Sequence, residues 1–492
     1  MTVTMEPAGQ AMATPRAATV ALGRAEARRL LHSPFYWGGA LLATALGVVW
    51  AWTRMPTWAT FAENSGMSSL VLSAGLLMAT HLAAGRDRRA GAEESTSAMP
   101  AGPARRALAM LVSVPVAMLT GAAVQLLSLL LLLPTWPVGE FDPWASAVVL
   151  VIPPIGAVIG VLVGRVLPGP AAGPLTVVAL CALLIALLAL PNYPLNYTGA
   201  LWPVPEPPWE IGAPRPSGWH LIYLVGVLIA LAAAVAWRAW PKASATVLVA
   251  AVACAGVSVE RQTAETPTVI SMDLVNQYTG PAVLSCQTHQ QVHYCALPHF
   301  EDWIENWREA VEPVAAHLPP GAQRPTVRQI GTGYDREPIT PGIPEIVTSH
   351  SWGRIGGWAA DSRTRMARDY AAASVEMYTG GFFHTDCDAS GQHRTAAALW
   401  LLAQSLPNGV EQVRNGELRI PRARYGQAEL DAAVTLLDRP YDEVAGYLAE
   451  HWTELRDPSS TALAGLGVTL TPPAVPAAES QGEPRSEAGV CR

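Results

Sequence analysis

The chain has 492 residues, half of them hydrophobic and only 14% charged, with a mean hydropathy of +0.23. That is long enough for two or three domains and too apolar for a chain that is water-soluble throughout. Its formal charge of −7 divides unevenly: residues 1–259 carry 14 Lys+Arg against 10 Asp+Glu, and residues 260–492 carry 18 against 29. The acidic second half lacks the basic footprint of nucleic-acid binding, and with Lys242 the only lysine there is no phosphate-binding P-loop.

Residues 1–20 are small and polar, without the apolar run of a secretory signal, and are expected to form a cytoplasmic tail. Residues 21–34, ALGRAEARRLLHSP, set Arg24, Arg28 and Arg29 at helical spacing against Leu and Ala. That pattern predicts an amphipathic helix in the inner membrane interface, its arginines toward lipid headgroups. Residues 1–34 thus precede a transmembrane domain over 35–259. Its apolar runs lie at 35–53, 66–84, 107–133, 144–167, 171–190, 219–238 and 243–259, each near the roughly 20 residues that cross a bilayer. The last is the shortest, and Pro153 with Pro154 predicts a kink in the fourth.

Between the second and third runs lies HLAAGRDRRAGAEESTSAMPAGPARRALAM, residues 81–110. Arg86, Arg88 and Arg89 close the second run, Glu93 and Glu94 follow, and Arg105 and Arg106 open the third. A loop this basic is retained in the cytoplasm. Its middle reads as a short helix ending near Met99, before Pro100 and Gly102. A loop that only sets orientation accounts for the arginines but not for the Glu pair or the helix-then-proline layout.

With this layout, and an Arg-rich element ahead of the first span, the chain resembles the ABC-2 type permeases, the membrane subunits of a class of ABC exporters. The resemblance covers about residues 20–240. It implies an all-α, six-span core whose 86–106 loop docks on a separate cytoplasmic ABC ATPase subunit. It further implies a second permease subunit in a homo- or heterodimer. The chain itself would be no enzyme and hold no cofactor or metal, ATP being bound by the partner. The seventh run and the soluble domain lie outside the resemblance.

With the N-terminus inside, 12 basic residues fall in inner segments and 2, Arg54 and Arg215, in outer loops. Seven spans then put residues 260–470 outside the cell, unless 243–259 fails to cross. The proline- and aromatic-rich loop 191–218 carries Trp202 and Trp209, and Trp219 follows it. Tryptophans at headgroup level form the usual interfacial belt. In the related permeases short outer helices stand at this place, at the exit of the transport path, which would make these three an exit lid.

The outer part is expected to be a mainly helical α+β domain. Residues 283–287 and 292–296 alternate about a polar turn centred on Gln290 and Gln291, a β-hairpin signature. Cys286 and Cys295 are equidistant from that turn and face each other, within reach of a disulfide. Helices are expected over 299–318, 362–379, 391–406 with Ser390 as N-cap, 427–437 and 441–455. The apolar face of the first carries Phe300, Trp303, Ile304, Trp307 and Val311. Residues 471–492, rich in Pro, Ala, Glu and Ser, read as a disordered tail. Cys181 and Cys254 fall inside spans, and Cys387 and Cys491 have no evident partner.

One stretch groups chemically capable side chains: FFHTDCDASGQHR, with His384, Asp386, Cys387, Asp388 and His393. It lacks the His-Glu-x-x-His of zinc peptidases, and the chain has no G-x-S-x-G elbow. A membrane-anchored extracellular hydrolase, peptidase-like, is therefore the alternative to an exporter permease. Seven spans exceed what an anchor needs, and the 86–106 loop has no role there.

Overall fold

The apolar runs of the first half become helices because a backbone without water partners must satisfy its own hydrogen bonds. The computed structural model describes residues 15–92, 94, 102–189, 200–205, 216–265, 271–330, 338–349, 351–377, 387–471 and 490–491. The protein is mostly helical and separates into two units, one of residues 1–51, 56–207 and 215–269, the other of 52–55, 208–214 and 270–492.

The first unit contains α1 (Pro15–Leu31), α2 (Pro34–Thr53), α3 (Trp58–Ala84), α4 (Pro103–Met110) and α5 (Ser113–Leu130). It continues with α6 (Pro143–Val166), α7 (Ala172–Ala189), α8 (Ser217–Ala236) and α9 (Pro241–Ala264). Among the described residues, six helices are long and apolar enough to cross a membrane: α2, α3, the α4–α5 run Ala104–Leu130, α6, α8 and α9. The run expected to be the weakest thus belongs to a helix long and apolar enough to cross. α9 begins at Pro241, pre-shaped for a first turn, and continues past Glu260 and Arg261. The shortfall lies instead in α7, whose described apolar stretch is only Ala172–Leu187.

Glycine sets the closest approaches. Along α6, Gly156, Gly160 and Gly164 lie against Ser73, Leu77, Thr80 and His81 of α3, with no room for a Cβ. Helices meet this closely in membranes through small residues at i, i+4 spacing. Thr80 Oγ1 donates across the seam to Ala157 O at 2.8 Å. α6 runs on through Pro153 and Pro154, both buried, and Pro153 lies beside Gly121 of α5. The third run divides at Leu111 and Val112, where the amides turn to carbonyls three residues back.

The N-terminal end of α3 gathers one set of contacts. Gly66 lies against Val204 and Pro205, and the Nε2 side of His220 stands 3.4 Å from Pro203 O. Its Nδ1 is 3.0 Å from Gln262 Oε1 in α9, and Trp219 Nε1 donates to Glu265 Oε1 at 2.9 Å. Trp58 stands edge-on to Trp136 and Phe141 there. The C-terminal end of α3 gathers another set: Gly164, Gly173 and Gly169 O around His81, and Arg165 Nη1 donating to Val235 O of α8 at 2.7 Å.

The second unit is built on a sheet of order β1-β2-β3-β4: β1 (Ser285–His289), β2 (Val292–Ala296), β3 (Thr326–Gln329) and β4 (Glu345–Thr348). β1 and β2 form the antiparallel hairpin; β2, β3 and β4 are parallel. Gln290 and Gln291 both take positive φ, the two-residue turn that matches strand twist but usually needs Asn or Gly. α10 (Met272–Thr279) precedes the hairpin, and α11 (Ile304–Ala315) crosses over between β2 and β3. Of the expected apolar face, Trp303, Ile304, Trp307 and Val311 are buried.

The longer helices that follow are α12 (Gly356–Ser374), α13 (His393–Ser405), α14 (Gln427–Leu437) and α15 (Tyr441–Leu455), with a short one at Gly409–Arg414. α13 starts after Gln392 rather than Ser390, because Ser390 is held in a turn by Asp388 Oδ1, which accepts from its amide at 2.9 Å. The unit also includes Trp52–Met55, which leads from α2 toward α3. Met55 N–H donates to Trp352 O at 2.7 Å, Arg354 N–H donates to Thr53 O at 3.2 Å, and Arg54 bridges antiparallel to Gly353.

Candidate functional site

The arginines that follow α3 turn back onto the helix ends beside them. Arg86 Nη2 stands 3.0 Å from Glu26 Oε1, and Arg29 Nη1 reaches the same oxygen at 2.7 Å. Glu26 is buried while both guanidiniums are partly exposed, so the carboxylate is the fixed centre of the group. Arg106 of α4 pairs with Asp87 at 2.7 Å. Arg88 Nη1 donates to Arg165 O at 2.8 Å, and Arg89 donates to Pro168 O at 3.1 Å and to Leu82 O.

This network joins α1, the start of the α3–α4 connection, α4 and the α6–α7 turn at one end of the first unit. The helix expected around 91–99 lies largely outside the described residues, Glu93 included. Glu94 and Arg105 are described and exposed. Of the arginines singled out in the sequence, Arg86, Arg88, Arg89 and Arg106 therefore fasten the two ends of the loop. α1 has Arg24, Arg28 and Arg29 exposed and a second face packed inward. It packs on α4, with Gly23 against Ala109 O and Val112, and Arg29 is engaged by Glu26.

Sequence reasoning missed the partners Glu26, Asp87 and Arg165. For Glu26 a signal existed: it is the lone acid within an arginine-rich helical stretch. Of the expected lid residues, Trp202 is buried and Trp219 is held by Glu265; their neighbours Pro203 and His220 meet. Trp209 lies outside the described residues.

In the second unit Cys286 and Cys295 are cross-strand partners at disulfide distance, 2.11 Å between sulfurs. A second pair, Cys387 and Cys491, stands at 1.96 Å. This pair differs from the expectation of two unpartnered cysteines and a free tail. Residues 472–489 lie outside the described residues, but Val490 bridges to Asp388, and Cys491 N–H donates to Asp388 O at 2.9 Å. A separation of 104 residues gave no local pattern to read.

Arg394 gathers the surrounding chain ends. Its buried guanidinium donates to Gln392 Oε1, to the carbonyls of Glu376 and Arg456, and to Cys491 O. Burial lowers its pKa to about 10, against the opposing pull of Glu376 and Asp457, and it remains cationic at neutral pH. His393 is buried too: Nδ1 accepts from Leu463 N–H at 3.0 Å, and Nε2 faces Leu470 O at 3.3 Å. With both ring nitrogens engaged, His393 is a structural residue. His384 and Asp386 lie outside the described residues. Among the described ones, no three His, Cys, Asp or Glu side chains group as metal ligands.

Through Arg86, Asp87 and Arg88 the residues after α3 are linked to α1, α4 and α6, and Arg165 links α6 on to the end of α8. Compared with known protein families, curated proteins and solved structures, the chain matches none.

Proposed function

We propose that this chain is the membrane permease subunit of an ABC-2 type exporter, non-catalytic itself and driven by a separate cytoplasmic ABC ATPase. The observation that carries the reading is the fastening of the loop after α3 to the ends of α1, α4 and α6 through Glu26, Asp87 and Arg165 O. A loop that only sets orientation needs charge at the right side and no fixed partners. A loop that receives work from an ATPase needs stiff links into the helices it moves. Export through such subunits requires a second permease copy, identical or related, facing the first.

Seven crossings and an outer second unit belong to the same proposal. α7 begins beside His81, at the C-terminal end of α3; after it, Val204 lies beside Gly66 near the N-terminal end of α3. α9 ends at Glu265 beside Trp219, next to His220 and Pro203. The chain leaving α9 thus emerges at the end where α2 passes into α3. With the N-terminus inside, that end is the outer one.

The test is co-purification from native membranes. An ABC-type ATPase is expected to accompany the full-length chain, and Glu93→Arg with Glu94→Arg is expected to release it while the chain still inserts. Retention of both complex and transport in that variant would reduce the loop to an orientation signal.

A further inference from the structure

The segment that leaves the first span is zipped to residues 352–354. Met55 and Trp352, Thr53 and Arg354 exchange backbone hydrogen bonds around the Arg54–Gly353 bridge. Paired strands lie about 5 Å apart, so residues 352–354 are held at the depth at which α2 ends. α2 is a helix of 20 residues, about 30 Å long, which just spans the hydrocarbon core. Its last turn, with Trp52, therefore sits at headgroup level.

The residues that follow the zipper are apolar and uncovered. Ile355 is 47% exposed, Trp358 60% and Trp52 56%. They are also held firmly. Gly353 N–H donates to Ser362 Oγ at 2.9 Å, and a Cβ at Gly353 would collide with Trp358 O. Only glycine lets the zipper and the first turn of α12 touch. Arg54, exposed, adds a cation two residues after Trp52 and on the strand bridge to Gly353.

We propose that Ile355 and Trp358, with Trp52 and Arg54, form a membrane-interface anchor whose partner is the phospholipid headgroup layer around α2. Trp is amphipathic, with an apolar ring and one N–H, and favours that layer. Arginine beside it suits lipid phosphate. The strand pairing to a span end selects lipid over a soluble partner, since it fixes these side chains at the depth where lipid headgroups lie. The proposal rests on α2 spanning the membrane and not on the exporter reading.

The test places an environment-sensitive label on the full-length chain, with Cys181 and Cys254 replaced by alanine, in phosphatidylcholine–phosphatidylglycerol vesicles. Labels go at Ile355→Cys, which keeps Trp358, and at Trp358→Cys. Ser459→Cys serves as the exposed control and Leu41→Cys, mid-α2, checks separately that α2 is in lipid. Labels at 355 and 358 are expected to be quenched by headgroup-proximal spin-labelled lipid about two-fold more than the label at 459, and to be shielded from iodide. Iodide quenching equal to that at 459 would overturn the anchor. So would shielding from both quenchers that scales with protein-to-lipid ratio, which marks contact between copies. Failure at 41 would instead overturn the membrane placement of α2.

Discussion

Arg86 and Glu26 are 60 residues apart in the chain and 3.0 Å apart in space, and Arg29 shares the same carboxylate oxygen. One buried acid thus holds a cation of its own helix, Arg29, and one from the segment after α3, Arg86. Exposure of the guanidiniums screens each pair, so a double-mutant cycle of Glu26→Gln with Arg86→Met should give a coupling of about 0.5–1 kcal/mol. Thermal unfolding of the solubilised full-length chain measures it. Strict additivity would mean that the ion pair holds nothing.

The two cysteine pairs should differ in worth. Chain-entropy arguments give about 2–3 kcal/mol for closing the short hairpin and about 4–5 kcal/mol for the longer closure, less any strain. Cys286→Ser is expected to loosen the hairpin alone, and Cys491→Ser to expose β5 (Cys387–Asp388) and the start of α13 to protease. Non-reduced peptide mapping of protein from native membranes reads the bonds directly. Free thiols at both members of a pair would remove that pair from the account.

Sidedness has a direct readout. Ser459 is exposed in the loop after α15. Ser459→Cys should react with a membrane-impermeant maleimide on intact cells. Labelling only after lysis would place the second unit in the cytoplasm and leave an even number of crossings.

Burial lowers the His393 pKa from its ordinary 6.5, against a hydrogen bond to Leu470 O that raises it, and burial lowers His317 likewise. Both folded values lie below the unfolded ones. As pH falls through about 6.5 the unfolded chain takes up protons that the fold refuses. The stability from neutral His393 is therefore present above that pH and lost below it. Denaturant midpoints between about pH 7.5 and 5.5 should fall on the acid side, where His ionisation dominates. His393→Gln should flatten the slope in part, leaving the His317 share; an unchanged slope would assign the effect elsewhere.

Helix positions were readable from the length of apolar runs in the first half and from residue periodicity and caps in the second. α14 and α15 fall at 427–437 and 441–455 as expected, and the hairpin register followed from two cysteines equidistant from Gln290 and Gln291. What escaped notice was set by partners distant in sequence. β3, Thr-Val-Arg-Gln, carries Arg328, a residue that argues against a buried strand. It is buried nonetheless because Glu345 of β4 and Thr279 O meet its guanidinium at 3.3 and 2.6 Å. The arginine-rich loop was visible as a charge pattern, but its fastening depends on Glu26 and on backbone carbonyls, whose positions no local spacing encodes.

The attachment of Cys491 to Cys387 and Arg394 orders events during synthesis. β5 and Arg394 lie more than ninety residues ahead of the residue that completes their bonds. A ribosome delivering the chain from its N-terminus must finish and pass on residue 491 before that part can close. Until then the Arg394 guanidinium lacks one acceptor, and Cys387 is a thiol open to the wrong partner. Any extension joined after residue 491 would have to leave from the edge of β5 without disturbing it.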